Sequence, residues 1–587
     1  MGRRGALVAL ATLIAGTAAA RTPPGSRFVN WVIGQVQPPD SFAGNGADAT
    51  PDRPAGQQPS TVRTYTEENE SYMASTAGDA LKRNVPAGGR RFSSPAIAAR
   101  ATKVTVETVL SNDPARHLAS RLTFGPTPKV IDDINKLGID EWIEMQLAPE
   151  QIPATEAEQR LATDLATLDM SIPDLRKARA DLEAKGVRAD EEYVLATIAR
   201  QIWSDRQLFE VMVDFWNDFL HVPAFFDGSQ VRRASFDRDV IRRYALDNYP
   251  DMLVAAHRHP AFLSYLDGTS STKDTVNENL ARETLEQYTV GVDGDYTEKD
   301  VRQAGLLLTG LGVEDDQYVY RGDRHYVGPV KVMGFNHENG SAAGGERAVE
   351  EYVRYLANHA ATARAVATHL AIRFVSDTPP ESLVERVARS YTVNRGRIKP
   401  VLLELLSSSE FWAAVGQKVR RPMEYVAATY RTLGVSPRTP AGFTPADRNR
   451  TPLVEGLQQI RRKLEELGHF PTGAPASNGY PDVFVAWSSA GSMVNCWNEA
   501  ADAIAGARPM FTYNKPEQLA GAPPAAAGAY VNALAERLVY QSLSDRERDL
   551  ILSVAGLRAG DQTDPTFGGA VVAVVRTILA SPQHHLR

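Results

Sequence analysis

The chain of 587 residues contains a single cysteine, Cys496. One thiol closes no intramolecular disulfide, gives a structural zinc no Cys pair and forms no CxxC redox site. Its simplest role is that of a small buried hydrophobe. Excess positive charge is missing too. Lys and Arg total 64 against 71 acidic residues, a formal net charge of −7. Nucleic-acid binding, which needs a basic surface to displace counterions, is excluded on that ground. Beyond the amino terminus no apolar run approaches the ~20 residues that a membrane-spanning helix requires. The familiar catalytic signatures are absent as well: no GxSxG elbow, HExxH helix, GxxxxGK[ST] loop, strand-linked GxGxxG or haem-binding CxxCH.

The amino terminus is informative. Arg3 and Arg4 precede an apolar run from Ala6 to Ile14, and Ala18-Ala19-Ala20 supplies small residues for cleavage. This is the layout of a secretory signal peptide over residues 1–20, cut near Ala20, and it predicts a periplasmic, cell-envelope or extracellular protein. The Arg pair lies almost at the start and is followed by Gly5, which fits general secretion better than the twin-arginine route. Residues 21–110 form a lead rich in Pro, Gly, Asp and Ser, too poor in apolar anchors to offset the entropy of ordering. Two pieces of it, 28–36 and the run from Ala96 to Val109, have enough apolar residues to dock on a body.

From there to the end, apolar residues recur at three- and four-residue spacing, the helical period. Examples are 128–147, 190–220, 346–375, 398–415, 421–435, 530–543 and 571–581. The fold class is therefore mainly α, a large multi-helix body over 111–587. Thr297 to Asp300 read as a capping box, Gly138 as a helix end and Pro379-Pro380 as a break. One strand-like island, 318–337, predicts a small β-hairpin or extended loop insertion between helices.

The segments HLASRLTFGPTP (117–128), HPAFLSYLDGTSS (259–271) and NENLARETLEQYTVGVDGDYTEKDVRQAGLLLTG (277–310) resemble the bacterial family called domain of unknown function 1800. The stretches 359–380, 407–434 and ILASPQHHLR (578–587) follow its pattern too. The resemblance implies an exported, mainly helical protein, often encoded beside another exported family similar to sulfatases and alkaline phosphatases. It carries over no reaction, cofactor or catalytic residue. The chain departs from the pattern twice: Asp218-Phe219-Leu220 stands where Asn-His-Phe is usual, and Cys496 where an arginine precedes Trp497-Asn498.

Among candidate sites, the 277–286 segment comes first. At 3.6 residues per turn Asn279, Arg282, Glu283 and Glu286 share one face, and Glu278 pairs with Arg282 at i, i+4. Burial would raise the pKa of one carboxylate while Arg282 keeps another ionised, a split that makes a general acid and a base. The same oxygens suit a divalent cation, so the metal question stays open. A polar network tying helices together is the simpler reading of that face. The island supplies His325, with Arg321, Asp323, Lys331 and His337 nearby; an imidazole there can shuttle protons or join the carboxylates, or sit in a solvated loop. Catalytic candidates are thus Glu283, Glu286, Arg282 and His325, and the cofactor stays unknown.

Other features read more blandly. Asp267 caps a turn, and Asp293-Gly294-Asp295 lacks the twelfth-position glutamate of a calcium loop, which is Ala304 here. His359 and His369 read as helix histidines and His584-His585 as surface residues. The aromatic, Pro/Gly-rich stretch 468–487 reads as a lid packed on the body or a surface for sugar rings or a Pro-rich peptide. Two functions fit: a hydrolase acting on an envelope or extracellular polymer, and a non-catalytic binding or assembly partner of another exported enzyme.

Overall fold

The computed structural model describes residues 109–444, 450–521, 524–563 and 568–587. The signal peptide expected over 1–20, the 28–36 segment and nearly all of the expected lead lie outside the described residues. Within them the protein is mainly helical, with 25 helices and three small two-stranded sheets. A continuous apolar core runs from Ala115 to Leu579.

The first helix, α1 (Pro114–Leu122), starts with Asp113 accepting from the Arg116 N–H. After it Gly125, at φ +140°, passes so close to the later helix bearing Ala428 that a Cβ there would lie 2.6 Å from the Ala428 Cα. Only glycine fits that approach, which explains the Gly in the 117–128 motif. The long periodic runs each divide in two. Gly138, at φ +88°, separates Pro128–Leu137 from Ile139–Gln146. The 190–220 run divides at 204–206, where the Ser204 hydroxyl accepts from the Arg206 N–H. The second half is α2 (Gln207–Phe219), buried over most of its surface. Its apolar residues Leu208, Val211, Met212, Phe215, Trp216 and Phe219 fill the core, while Glu210, Asp214, Asn217 and Asp218 need partners inside the protein.

The 277–286 segment forms α3 (Asn279–Glu286), followed by a tight turn with Gly294 N–H donating to Gly291 O. Then comes α4 (Glu298–Leu307), whose Thr297–Asp300 capping box is formed in both directions.

The island holds two hairpins rather than one. β1 (Leu311–Glu314) pairs with β2 (Gln317–Tyr320), and β3 (Val330–Val332) with β4 (Phe335–His337). Both turns place consecutive residues at positive φ, Asp315-Asp316 at 52° and 62° and Met333-Gly334 at 47° and 90°. That is the twist a two-residue hairpin turn demands. The first hairpin begins upstream of the predicted island because its turn uses an Asp pair rather than Asn-Gly or Asp-Gly.

The 346–375 run divides where His359 caps its second half, giving α5 (Gly345–Ala357) and α6 (Ala360–Phe374). Pro379-Pro380 then separates α6 from the Glu381–Val393 helix. Next come α7 (Ile398–Leu406) and α8 (Pro422–Thr432), whose residues are all buried. The last short helix, α9 (Pro582–His585), and the residues after it lie along 418–420, with Arg587 N–H donating to Lys418 O at 2.8 Å. His584 and His585, expected on the surface, are buried. His584 bonds Thr429, and His585 stacks on Tyr425 and accepts from the Trp497 indole. Their burial follows from the terminal strand-like pairing, which leaves no local periodic trace. No helix among the described residues is long and apolar enough to cross a membrane.

Candidate functional site

The polar residues of α2 find their partners at the start of α8. Arg421 precedes Pro422, and its backbone N–H donates to Glu424, the third residue of the helix. This fixes the arginine at the helix mouth, where its side chain donates to Asp214 at 2.5 Å and Asp218 at 2.8 Å. Arg373 on α6 pairs with Glu424 and reaches Asp482 at 3.1 Å. Lys418 holds Asp377 at 2.6 Å and Asp482 at 3.0 Å. Arg587 lies 3.5 Å from both Glu424 and Asp482. The network thus joins α2, α6, α8, the 468–487 loop and the C-terminal residue.

The network is asymmetric toward solvent. The side chains of Arg373, Arg421, Lys418 and Arg587 are at most 3% exposed, whereas Asp218 keeps 19% and Asp482 17%. Both carboxylates open into a cleft of about 710 Å³. Its floor also holds Phe215, Phe219, His369 and Tyr480. Its walls come from the residues after α3 and from Arg364 on α6, the latter tied to Glu381.

Environment drives the two floor carboxylates apart. Burial raises the Asp218 carboxyl above the usual range despite the opposing Arg421. For Asp482 burial alone would do the same, but the summed attraction of Lys418, Arg421, Arg373 and Arg587 wins and holds it well below that range. Asp214, one turn away, is pushed up to about 6, chiefly by burial against the pull of Arg421 and Arg373. Burial keeps His369 neutral, and its ring meets Phe219 edge-on at 5.0 Å. The 468–487 loop packs His469, Tyr480 and Trp487 together, and the Met423 N–H donates to His469 Nδ1.

Of the four residues singled out in the sequence, Glu286 lines this cleft, with Arg282 and Glu283 on the same helix behind it. Glu286 is on its wall, accepting from the Tyr296 hydroxyl at 2.7 Å and standing 3.4 Å from Arg282. Arg282 also pairs with Glu298 at 2.7 Å. Glu283 is half-buried, its carboxyl raised by burial and lowered by the Ser477 hydroxyl of the same loop. His325 is elsewhere: it is buried between Thr309 O at 2.8 Å and Asn339 Oδ1 at 2.9 Å, tying the hairpin insertion together. It is not among the residues lining the cleft. Among the described residues no group of three or more His, Cys, Asp or Glu side chains is arranged to hold a metal ion.

Sequence reasoning passed over Asp214, Arg373, Lys418, Arg421 and Asp482. The available signal was a Lys-Val-Arg-Arg-Pro run, 418–422, leading into an otherwise apolar helix, with charged residues also interrupting the apolar face of α2.

A helical body of this kind, with its cleft floored by the 359–380 and 407–434 segments, agrees with the resemblance drawn from those segments. The chain belongs to the family described as "Protein of unknown function (DUF1800)", whose model matches residues 117–586. Comparison with curated proteins and with solved structures gives no match.

Proposed function

We propose that this chain is an exported hydrolase of an envelope or extracellular polymer, working in the cleft between α2, α3 and α6. The observation that carries this is the pair of carboxylates Asp218 and Asp482, reached from one cleft and driven in opposite directions by their surroundings. A carboxyl raised by its surroundings is suited to donate a proton, and Glu286 opens onto the same cleft to serve as its counterpart. Asp218 is the proton donor to the leaving group. Glu286, on the facing wall, is the base or nucleophile, positioned by Tyr296 and Arg282. Asp482, ionised among Lys418, Arg373 and Arg587, anchors the loop that carries Tyr480 against Asp218. The signal-peptide layout of residues 1–20 supports export.

A second reading has its own support. Both Asp218 oxygens are engaged, one by Arg421 and one by the Tyr480 N–H, as in a clamp that only holds the loop. On that reading the protein is a non-catalytic assembly partner. A polysaccharide and peptidoglycan panel assayed for released reducing ends separates the two. The hydrolase reading expects turnover by the wild-type chain and a loss of ~100-fold or more in Glu286→Gln, the range for acid–base groups. No turnover on any polymer, or equal turnover by the variant, favours the partner.

A further inference from the structure

A second recess lies at the opposite end of α2, and its chemistry is reversed. It has a volume of about 600 Å³ and is lined by Arg206, Arg242, Arg243, Arg397 and Lys399, against the carboxylates Glu150 and Asp247. Phe209, in the first turn of α2, contributes to it, whereas Asp218 in the last turn faces the first cleft. At 1.5 Å per residue the two are ~14 Å apart along the helix.

The five cations differ in what they already hold. Arg242 is committed to Glu210 at 2.6 Å and lies over the Phe209 ring. Arg206 donates its Nε–H to Ile152 O. Arg243 lies over the Tyr244 ring, and no ion pair within the described residues engages Arg243, Arg397 or Lys399, which stand on the wall of the recess. In a chain of net charge −7, these three outnumber the two carboxylates of the same lining, Glu150 and Asp247, and the positive excess favours an anion between them. Guanidinium groups match the planar oxygen pairs of carboxylates and sulfates. Pro149, Pro400 and Phe209 add an apolar wall.

We propose that this recess binds an anionic sugar chain. Its carboxylate or sulfate is held by Arg243, Arg397 and Lys399, its ring lies against the Pro149–Phe209–Pro400 wall, and its hydroxyls donate to Glu150 and Asp247. A concave site with carboxylates among its lining disfavours a flat anionic membrane. Phe209, with Arg242 over one face, is the one aromatic side chain lining the recess, too few to stack the successive bases of a nucleic acid. The site stands independently of any chemistry in the first cleft.

Calorimetric titration of the full chain tests it with four probes: a galacturonate hexamer, a heparin hexasaccharide, neutral maltohexaose and single-stranded DNA. Co-sedimentation with phosphatidylglycerol vesicles covers the lipid alternative. The expected result is binding of at least one anionic hexasaccharide, weakening with salt, and none of maltohexaose. The carboxylate and sulfate arms identify the anion. A combined Arg243→Ala, Arg397→Ala and Lys399→Ala variant should bind about tenfold more weakly or worse. Its melting temperature should be unchanged, and Arg397→Glu alone provides a second variant. Failure of both anionic sugars to bind, undiminished binding by the variants, or preference for vesicles or DNA would overturn the proposal.

Discussion

Arg421 donates to Asp218 at 2.8 Å across 203 positions of sequence, and with its other nitrogen holds Asp214 one turn earlier on the same helix. This guanidinium joins the two helices that floor the cleft. Replacing it by Ala leaves two buried carboxylates with one partner fewer. Loss of one member of a buried ion pair costs ~3–5 kcal/mol, so Arg421→Ala should show that loss in chemical denaturation. A variant as stable as wild type would contradict the role.

The same network sets a pH dependence with two limbs. Asp214 titrates near 6 in the folded protein, above its ordinary value of 3.8. The folded state therefore holds a proton the unfolded chain releases, and this contribution is present below about pH 4 and lost as pH rises through about 6. Glu424 and Asp482 are displaced downward, so their contribution is present above the ordinary carboxylate range and lost as pH falls below it. Asp214→Asn should reduce the slope of the stability curve between about pH 4 and 6, with the raised Asp218 still acting in the same direction, while leaving the acid limb in place. An unchanged slope in that window would remove Asp214 from the account.

Gly125 provides a test of the fold. At φ +140°, and with Ala428 Cα 2.6 Å from where a Cβ would stand, Gly125→Ala combines backbone strain with a clash against α8. A loss of at least ~1–3 kcal/mol is expected from the strain alone. Denaturant midpoints measure it, and a neutral substitution would mean that the 117–128 segment is not pressed on α8.

The helical class was readable because apolar spacing repeats along most of the body. What periodicity missed were the breaks at Ser204, where extended backbone ends one helix and the hydroxyl takes the Arg206 N–H, and at His359, which caps the next helix. Glu286 and Arg282 could be placed on one face because three or four residues separate helix neighbours. Asp218, Arg373, Arg421 and Asp482 come from four distant segments, and their union depends on tertiary packing that local spacing does not encode. His325 stands out in the sequence for its loop position and its imidazole. Its burial between Thr309 and Asn339 depends on hairpin geometry, set by an Asp-Asp turn that carries only a weak sequence signal.

The most direct test of the central claim is the rate of Asp218→Asn on whichever polymer the wild-type chain cleaves, with its melting curve recorded alongside. The amide keeps the shape and one acceptor oxygen, for Arg421, gives up the hydrogen bond from the Tyr480 N–H and donates no acidic proton. The account predicts a fall in kcat of ~100-fold or more with the fold intact, and rescue of rate on substrates whose leaving group needs no protonation. An Asp218→Asn enzyme that turns over at the wild-type rate would contradict it.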